Sequence, residues 1–174
     1  RGIRPLEAGL TRVDHEAGQE RETIMHLSDN VKSIRIHAPV AAGATDITDS
    51  SVVDTQGFEG VRFIVGFGAI TAGAATSVKV QQATAKTSDT ALTSGADLLG
   101  SSITVADPAD NTLVITDIFK PQERYVQPHV LRATQNAVVD LIIAELYGPR
   151  VEPVSLDATV STLEKHASPA EGTA

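Results

Sequence analysis

The sequence predicts an all-β protein: a single antiparallel β-sandwich or jelly-roll-like domain flanked by flexible N- and C-terminal arms. Three observations predict it. Apolar and polar residues alternate with a period of two through most of residues 31–147. Turn signals separate about eight short segments, roughly every 8–12 residues. The apolar residues in these segments are mainly Val and Ile, which favour strands. This spacing favours a sandwich over a fold of alternating strands and helices.

The first elements are short and separated by turn residues. Residues 33–38, SIRIHA, alternate clearly and predict the first strand. Pro39 and Gly43 mark a loop, and residues 44–53 are predicted as the second strand. Residues 54–57, DTQG, carry Asp at the first and Gly at the last position of a predicted β-turn.

The next predicted strand, residues 58–67, is the most apolar segment of the first half. Its two faces are expected to carry Phe63, Val65 and Phe67 on one side and Arg62 and Ile64 on the other. Gly66 and Gly68 indicate a bulge or a close approach of another backbone. A turn of small residues is predicted over residues 69–75.

Residues 77–82 alternate again, and we expect Val78 and Val80 to face inward. Residues 84–100 are rich in Ala, Ser, Thr and Asp and are predicted as the longest loop.

Two further strands are predicted before the last pair. The first covers residues 102–105 and ends at a turn over residues 107–108, DP. The second covers residues 112–118, and residues 120–121, KP, break it.

Residues 125–133 and 137–147 are predicted to form the closing pair of strands. Pro128 cannot donate a ladder hydrogen bond, so the first of these is predicted to be an edge strand or to be bulged there. Residues 138–146 would also suit a buried helix on apolar content, but their β-branched residues favour a strand. The side chains expected to face the core from it are Val138, Leu141 and Ile143.

The two ends differ from the sandwich domain, which is predicted over residues 25–154. Residues 1–24 are charged and without a periodic pattern, which fits either a flexible arm or an over-extended gene start before Met25, the one methionine. Residues 155–174 are predicted as a C-terminal tail. Its apolar residues have helical spacing after the N-cap candidate Ser155, namely Leu156, Val160 and Leu163. A short helix and a solvated tail both fit this segment.

Composition argues against several classes of protein. The chain has 174 residues, which suits one domain with tails. It has no cysteine, which excludes disulfides, thiolate zinc sites and cysteine nucleophiles. The net charge is −8 without a cluster of Lys and Arg, so we expect no direct contact with nucleic acid. No apolar run reaches about 18 residues, so no transmembrane helix is expected.

We find no motif for catalysis, a cofactor or a metal, and predict a protein that is not an enzyme. The five histidines lack the spacing of metal ligands. A site assembled by folding from His37, His129 and a carboxylate is the alternative. Most aspartates sit at predicted turns, where the carboxylate bonds to nearby backbone amides.

Arginines and tyrosines cluster in or beside the closing strands. These residue types are favoured as anchors of protein interfaces. The alternative is ordinary decoration of strand ends. The candidate residues for a partner interface are Arg124, Tyr125, Arg132, Tyr147 and Arg150.

Five short blocks carry a resemblance to a known family. They are residues 54–61 (DTQGFEGV), 77–82 (SVKVQQ), 120–126 (KPQERYV), 132–134 (RAT) and 147–150 (YGPR). Together they resemble a family of small structural proteins of tailed bacteriophages and prophages, encoded beside the major capsid protein. The resemblance covers about residues 26–154 and excludes both ends.

The resemblance implies a head decoration (cement) protein, which binds and stabilises the shell of the major capsid protein as a homo-oligomer, dimer or trimer. Such a protein is made in the cytoplasm of the bacterial host and occupies the capsid exterior. It contacts neither nucleic acid nor a membrane. The alternatives are a head–tail connector or tail-tube subunit, or a carbohydrate- or receptor-binding sandwich on the particle surface.

Overall fold

The computed structural model describes residues 26–73, 75–106, 109–132, 137–167 and 170–172, and its regular structure there is almost entirely β-strand. One short helix, α1 (Leu27–Asn30), leads directly into the first strand. The strands are β1 (Val31–His37), β2 (Val40–Gly43), β3 (Val53–Asp54), β4 (Gly60–Ile70), β5 (Thr76–Ala83), β6 (Lys86–Ser88), β7 (Ala91–Leu92), β8 (Ala96–Asp97), β9 (Ile103–Val105), β10 (Leu113–Phe119), β11 (Tyr125–Leu131) and β12 (Ala137–Tyr147).

The strands form two five-stranded sheets and one small hairpin. The first sheet has the order β1-β12-β4-β10, and β2 also pairs with β12. The second has the order β3-β11-β5-β8, and β9 also pairs with β5. Side chains of both sheets meet in one hydrophobic core. The predicted all-β sandwich is therefore confirmed, and its assignment as a jelly roll stays a prediction.

The core is built from alternate residues of the long strands. Phe63, Val65 and Phe67 of β4 are buried, as are Val78 and Val80 of β5. Burial of each such side chain stabilises the fold by roughly 1.5–3 kcal/mol. The period-two alternation in the sequence identified these core residues correctly.

A bulge in β12 reverses which of its side chains face the core. Its register against β4 shifts between Val139 and Leu141. A bulge inserts one residue and so moves the following side chains to the opposite face. Val139 and Ile142 are consequently the buried residues on either side of it. The expectation that Val138, Leu141 and Ile143 face the core is therefore wrong.

Gly66 and Gly68 of β4 make room for the bulged strand. A Cβ atom on Gly66 would lie 3.0 Å from Cγ of Leu141, and one on Gly68 would lie 3.1 Å from Cγ1 of Val138. Both contacts are tighter than ordinary van der Waals packing, and both are with side chains. The glycines therefore mark the bulge that was one of the two predictions, and they do not mark a close approach of another backbone.

Residues 44–52 do not form the predicted second strand. Most of this segment makes no ladder, and Ile47 forms a single bridge to Val130 of β11. Its polar side chains bond to the backbone of the second sheet instead. Asp46 accepts from the N–H of Arg132, and Ser50 donates to the carbonyl of Pro128. The segment thus crosses from the first sheet to the second.

The turn before β4 lies one residue later than predicted. The N–H of Phe58 donates to the carbonyl of Thr55 at 3.1 Å, and Gly57 between them has φ +91°. Positive φ at the third position of a turn favours glycine. Asp54 precedes the turn and accepts from the N–H of Gln56.

Residues 84–100 are not one long loop, because β6, β7 and β8 lie within them. Polar contacts hold the β6–β7 hairpin, including a bond between the hydroxyls of Thr87 and Thr93 at 2.9 Å. Because these side chains are polar, the sequence of this hairpin shows no alternation of apolar and polar residues from which strands could be predicted. The predicted turn over residues 69–75 starts later, because β4 continues to Ile70.

The two strands predicted as a closing pair lie in opposite sheets. β11 pairs with β3 and β5, whereas β12 pairs with β1, β2 and β4. Their neighbours in space are distant in sequence, which alternation alone cannot assign. The predicted turn at residues 107–108 and the predicted strand residue Ala133 lie outside the described residues.

Pro128 lies in a strand that is interior in the order of its sheet and is not bulged, but at Pro128 itself one side of the strand has no ladder partner, as at an edge. The register of β11 with β5 is regular through Pro128. Val130, two residues on, exchanges main-chain bonds with Ile47, and the carbonyl of Pro128 points the same way towards Ser50. On that side β3 reaches only Tyr125 and Val126. The missing N–H of proline therefore costs no ladder bond.

The C-terminal tail runs beside β1 and contains no helix within residues 155–167 and 170–172, so of the two alternatives for this segment the short helix is not formed there. Asp157 accepts from the N–H and the hydroxyl of Thr159, which forms a local turn. Val154, directly before the tail, and two tail residues contact α1 and β1 in succession. The N–H of Val154 donates to the main-chain carbonyl of Asp29, Oδ2 of Asp157 lies 3.6 Å from Nζ of Lys32, and the hydroxyl of Thr159 accepts from the N–H of Arg35. The tail therefore covers the outer edge of β1.

Deletion of residues 155–174 is expected to leave a cooperatively folding sandwich, because the core cluster contains no residue of this tail. Hydrogen exchange should become faster at the amide of Arg35, which loses Thr159 as its acceptor. Exchange at β4 and β11 should not change. The substitution Thr159→Val in the full chain removes only the hydroxyl and should affect Arg35 alone. Non-cooperative thermal unfolding of the truncated chain would contradict this account.

Candidate functional site

Three segments meet at one end of the sandwich, and we call the surface of residues 54–60, 120–125 and 147–150 the turn-end surface. The N–H of Glu59 donates to the carbonyls of Tyr147 and Gly148, both at 3.0 Å. The N–H of Lys120 donates to the main-chain carbonyl of Glu59 at 2.8 Å, and the N–H of Arg150 donates to the carbonyl of Gly57 at 2.9 Å. These main-chain bonds fix the segments to one another. A shallow cleft of about 500 Å³ lies between them.

Left-handed backbone conformations let these segments turn tightly. Lys120 has φ +52° and Gly148 has φ +61°. A Cβ atom on Gly148 would also lie 2.8 Å from Cβ of Glu59, so the position accepts only glycine without a rearrangement. The local sequence therefore shapes this end of the molecule as a rigid surface.

Arg124 is held by a two-point ion pair on this surface. Its Nε donates to Oδ1 of Asp54 at 2.9 Å and its NH2 donates to Oδ2 at 2.6 Å. The hydrogen bonds from Arg124 keep the pKa of Asp54 below its ordinary value. The guanidinium also lies 5.0 Å from the ring centroid of Tyr125. Arg124 and Tyr125 thus form one preorganised pair that is partly open to solvent.

Arg150 and Lys120 supply the other cations of the cleft. Arg150 is exposed, and no salt bridge of its side chain is found among the described residues. The ammonium of Lys120 lies 5.0 Å from the ring centroid of Phe119. Glu59 and Glu123 also line the cleft, so both signs of charge are present.

Tyr147 belongs to the turn-end surface, and its side chain lies on the outer face of the first sheet. Its ring covers Gly60, where a Cβ atom would lie 2.3 Å from Cζ of the ring. Its hydroxyl donates to Oδ1 of Asp117 at 2.6 Å. Burial, together with this hydrogen bond, raises the pKa of Tyr147 to about 12. An ion pair between Arg62 and Glu145 lies beside it on the same face.

Arg132 is set apart from the other candidates because it is buried, with 3% of its surface exposed. Its guanidinium donates to the carbonyls of Thr45, Ala41 and Ala137 at 2.7–2.9 Å. Burial lowers the pKa of Arg132, and the charge of Asp46 opposes this shift. The side chain joins the segment after β2 to the start of β12 and does not reach the surface.

The structure therefore brings four of the five candidate residues to one end of the sandwich: Arg124, Tyr125, Tyr147 and Arg150. Sequence reasoning missed Glu59 and Lys120, which bond to each other through the main chain there. Their signal was the position of each beside a strand end, which many surface residues share.

Within the part of the chain that the structure describes, no group of three or more metal-ligating side chains is found. His37 and His129, the alternative metal ligands, lie in different sheets, on β1 and β11. Burial lowers the pKa of His129. No helix among the described residues is long and apolar enough to cross a membrane.

Comparison of the chain with models of known protein families and with curated proteins finds no match.

The substitution Arg132→Met should lower the free energy of unfolding by about 2 kcal/mol or more, because it leaves the buried carbonyl of Ala137 and the part-buried carbonyls of Ala41 and Thr45 without their donor. Arg35→Met, at an exposed position of β1, is the matched control and should change stability by about 0.5 kcal/mol or less. Urea unfolding measures both. A decrease in the free energy of unfolding below about 1 kcal/mol for Arg132→Met would show that the hydrogen bonds of Arg132 to the three carbonyls do not stabilise the fold.

The substitution Tyr147→Phe tests the raised pKa of Tyr147 through the pH dependence of stability. The folded pKa of Tyr147, about 12, is above the value of about 10 expected for the unfolded chain, because the side chain is buried and bonds to Asp117. The tyrosine therefore stabilises the fold fully below pH 10, and this contribution is lost as pH rises through 12. The stability difference between the two proteins should be constant below about pH 10 and shrink above it. A difference independent of pH up to about 12 would contradict the burial and bonding assigned to Tyr147.

Proposed function

We propose that this protein is a non-enzymatic virion component, a head decoration protein that binds the exterior of a tailed-phage capsid. The observation that supports it is the position of three of the five blocks that resemble such proteins. Residues 54–60, 120–125 and 147–150 are far apart in the sequence and converge on the turn-end surface. A surface built from these blocks is the natural candidate for the contact with the major capsid protein.

The chemistry of the turn-end surface suits a protein contact. Arg124 and Tyr125 are held in place before binding, which lowers the entropy cost of ordering them in an interface. Arg150 adds an exposed arginine next to them. Arginine and tyrosine are the residue types that most often dominate binding energy.

The proposed mechanism is passive stabilisation of the shell. A protein that binds the expanded shell better than its precursor shifts the equilibrium towards the expanded state by mass action. A rigid sandwich with a fixed surface suits this role, because the lattice repeats one weak contact many times.

The alternatives place the protein elsewhere on the particle. A head–tail connector or tail-tube subunit would be present as rings on the tail axis, and a receptor-binding sandwich would bind a sugar or host protein. Quantitative protein composition of purified particles separates these cases. A copy number in proportion to the major capsid protein supports decoration, whereas a copy number of a single ring supports a connector.

The substitution Arg150→Glu should weaken binding of the purified protein to expanded shells that lack it by at least about fivefold, because it reverses a charge of the turn-end surface. Arg35→Glu makes the same charge change on β1, outside this surface, and should bind as the natural protein does. Co-sedimentation with the shells measures both. Equal binding of both variants, or no binding of the natural protein, would contradict the proposed function.

A further inference from the structure

The two edges of the first sheet differ in how they are protected. At one edge β1 is covered by the C-terminal tail through Thr159 and Asp157. At the other edge β10 pairs with β4 alone among the described residues. Its seven residues, Leu113–Phe119, keep a regular register with β4 throughout. β10 is therefore a long, regular strand, and none of the described residues pairs with its second side.

The open side of β10 presents main-chain groups for pairing. The carbonyl of Thr112 accepts from the N–H of Phe67, and the N–H of Lys120 donates to the main-chain carbonyl of Glu59. The main-chain N–H and C=O groups of the even-numbered residues therefore point towards β4. The N–H and C=O groups of the odd-numbered residues 113–119 therefore point away from it. Natural proteins protect such an edge, because it is a template for another strand.

Apolar side chains accompany this open edge. Leu113 is 59% exposed, Ile115 is 48% exposed and Phe119 is 60% exposed. Leu99, which is fully exposed, lines the same cleft as Phe119 on this side of the molecule. One charged residue, Asp117, lies within the strand, and it is engaged by the hydroxyl of Tyr147. The edge lacks the lysines and prolines that normally prevent pairing.

The pattern of β10 is complementary to itself. In an antiparallel pair centred on Thr116, all seven residues find a partner, and Leu113 faces Phe119 of the other copy. Asp117 then faces Ile115, so the two carboxylates are not opposite each other. The odd-numbered residues become the hydrogen-bonded pairs, as their outward main-chain groups require.

Thr116 supplies an independent observation at the centre of this register. Its Oγ1 atom is buried and has no hydrogen-bond partner among the described residues. A buried hydroxyl without a partner is destabilising, because its lost hydrogen bonds to water are not replaced. In the centred register the two Thr116 residues form a close, non-hydrogen-bonded pair, in which threonine hydroxyls bond to each other across strands.

We infer that β10 is the surface through which two copies of this chain associate, by antiparallel pairing about a two-fold axis at Thr116. Pairing of this kind joins the two first sheets into one continuous sheet and brings Leu113 of each copy beside Phe119 of the other. A two-fold interface uses the same patch on both partners, as this register does. The inference concerns the protein in solution and does not depend on its binding to a capsid.

The solution mass and a cysteine cross-link test the inference together. The natural protein should have twice the chain mass of 18.2 kDa by light scattering. The chain has no cysteine, so Thr116→Cys introduces a single thiol. The paired Cα atoms at the axis would be about 4.5 Å apart, within the range of a disulfide. Diamide should therefore link this variant into a dimer, whereas Ser33→Cys on the tail-covered β1 should stay unlinked.

The substitution Ile115→Glu should give a folded monomer, because it places a carboxylate directly opposite Asp117 of the other copy, and like charges in opposed positions repel. Ser33→Glu is its control and should stay dimeric, and circular dichroism checks the fold of both. Leu113→Glu replaces Ile115→Glu if that variant does not fold. A monomeric natural protein would overturn the inference. So would an oligomer that survives both glutamate substitutions on β10 without a cross-link at position 116.

Discussion

The pairing of β4 with β12 is the interaction on which the rest of the structure depends. These two strands have eleven residues each and lie at the centre of the first sheet. Their inward side chains, among them Phe63, Phe67 and Ile142, form the core against β5 and β11. The bulge in β12 sets which residues face inward and which face out. It thereby places Glu145 and Tyr147 on the outer face, where Tyr147 covers Gly60 beside the turn-end surface.

With this pair at its centre, the first sheet has two edge regions, at β1 and at β10, and the residues that contact them differ. The tail supplies the hydroxyl of Thr159 and the carboxylate of Asp157 to β1. β10 receives no such cover from the described residues and carries exposed apolar side chains. The buried Arg132 holds β2 and the start of β12 together, because its guanidinium donates to main-chain carbonyls of both strands. Rigidity at one end and an open edge at one side are consequences of a single arrangement of strands.

The sequence allowed the fold class and much of the core to be predicted because side-chain alternation is a local property. Phe63, Val65 and Val78 were found in this way. The inward residues of β12 were missed, because the bulge depends on its contact with Gly66 of another strand. The separation of β11 from β12 into different sheets is equally non-local. Arg132 was predicted as an interface residue, since its type does not reveal that backbone carbonyls surround it. The apolar residues of the tail have helical spacing, but the bond from the N–H of Thr159 to the carboxylate of Asp157 forms a local turn there instead.

The central claim is that the turn-end surface holds this protein on the outside of a capsid. Electron cryo-microscopy of particles that carry the protein tests this claim most directly, because it locates each copy and its orientation. The account predicts sandwich-shaped density on the capsid exterior, repeated over the lattice, with Arg124 and Arg150 at the contact with the major capsid protein. Density confined to the tail axis, or capsid-bound density in which the turn-end surface faces solvent, would contradict it.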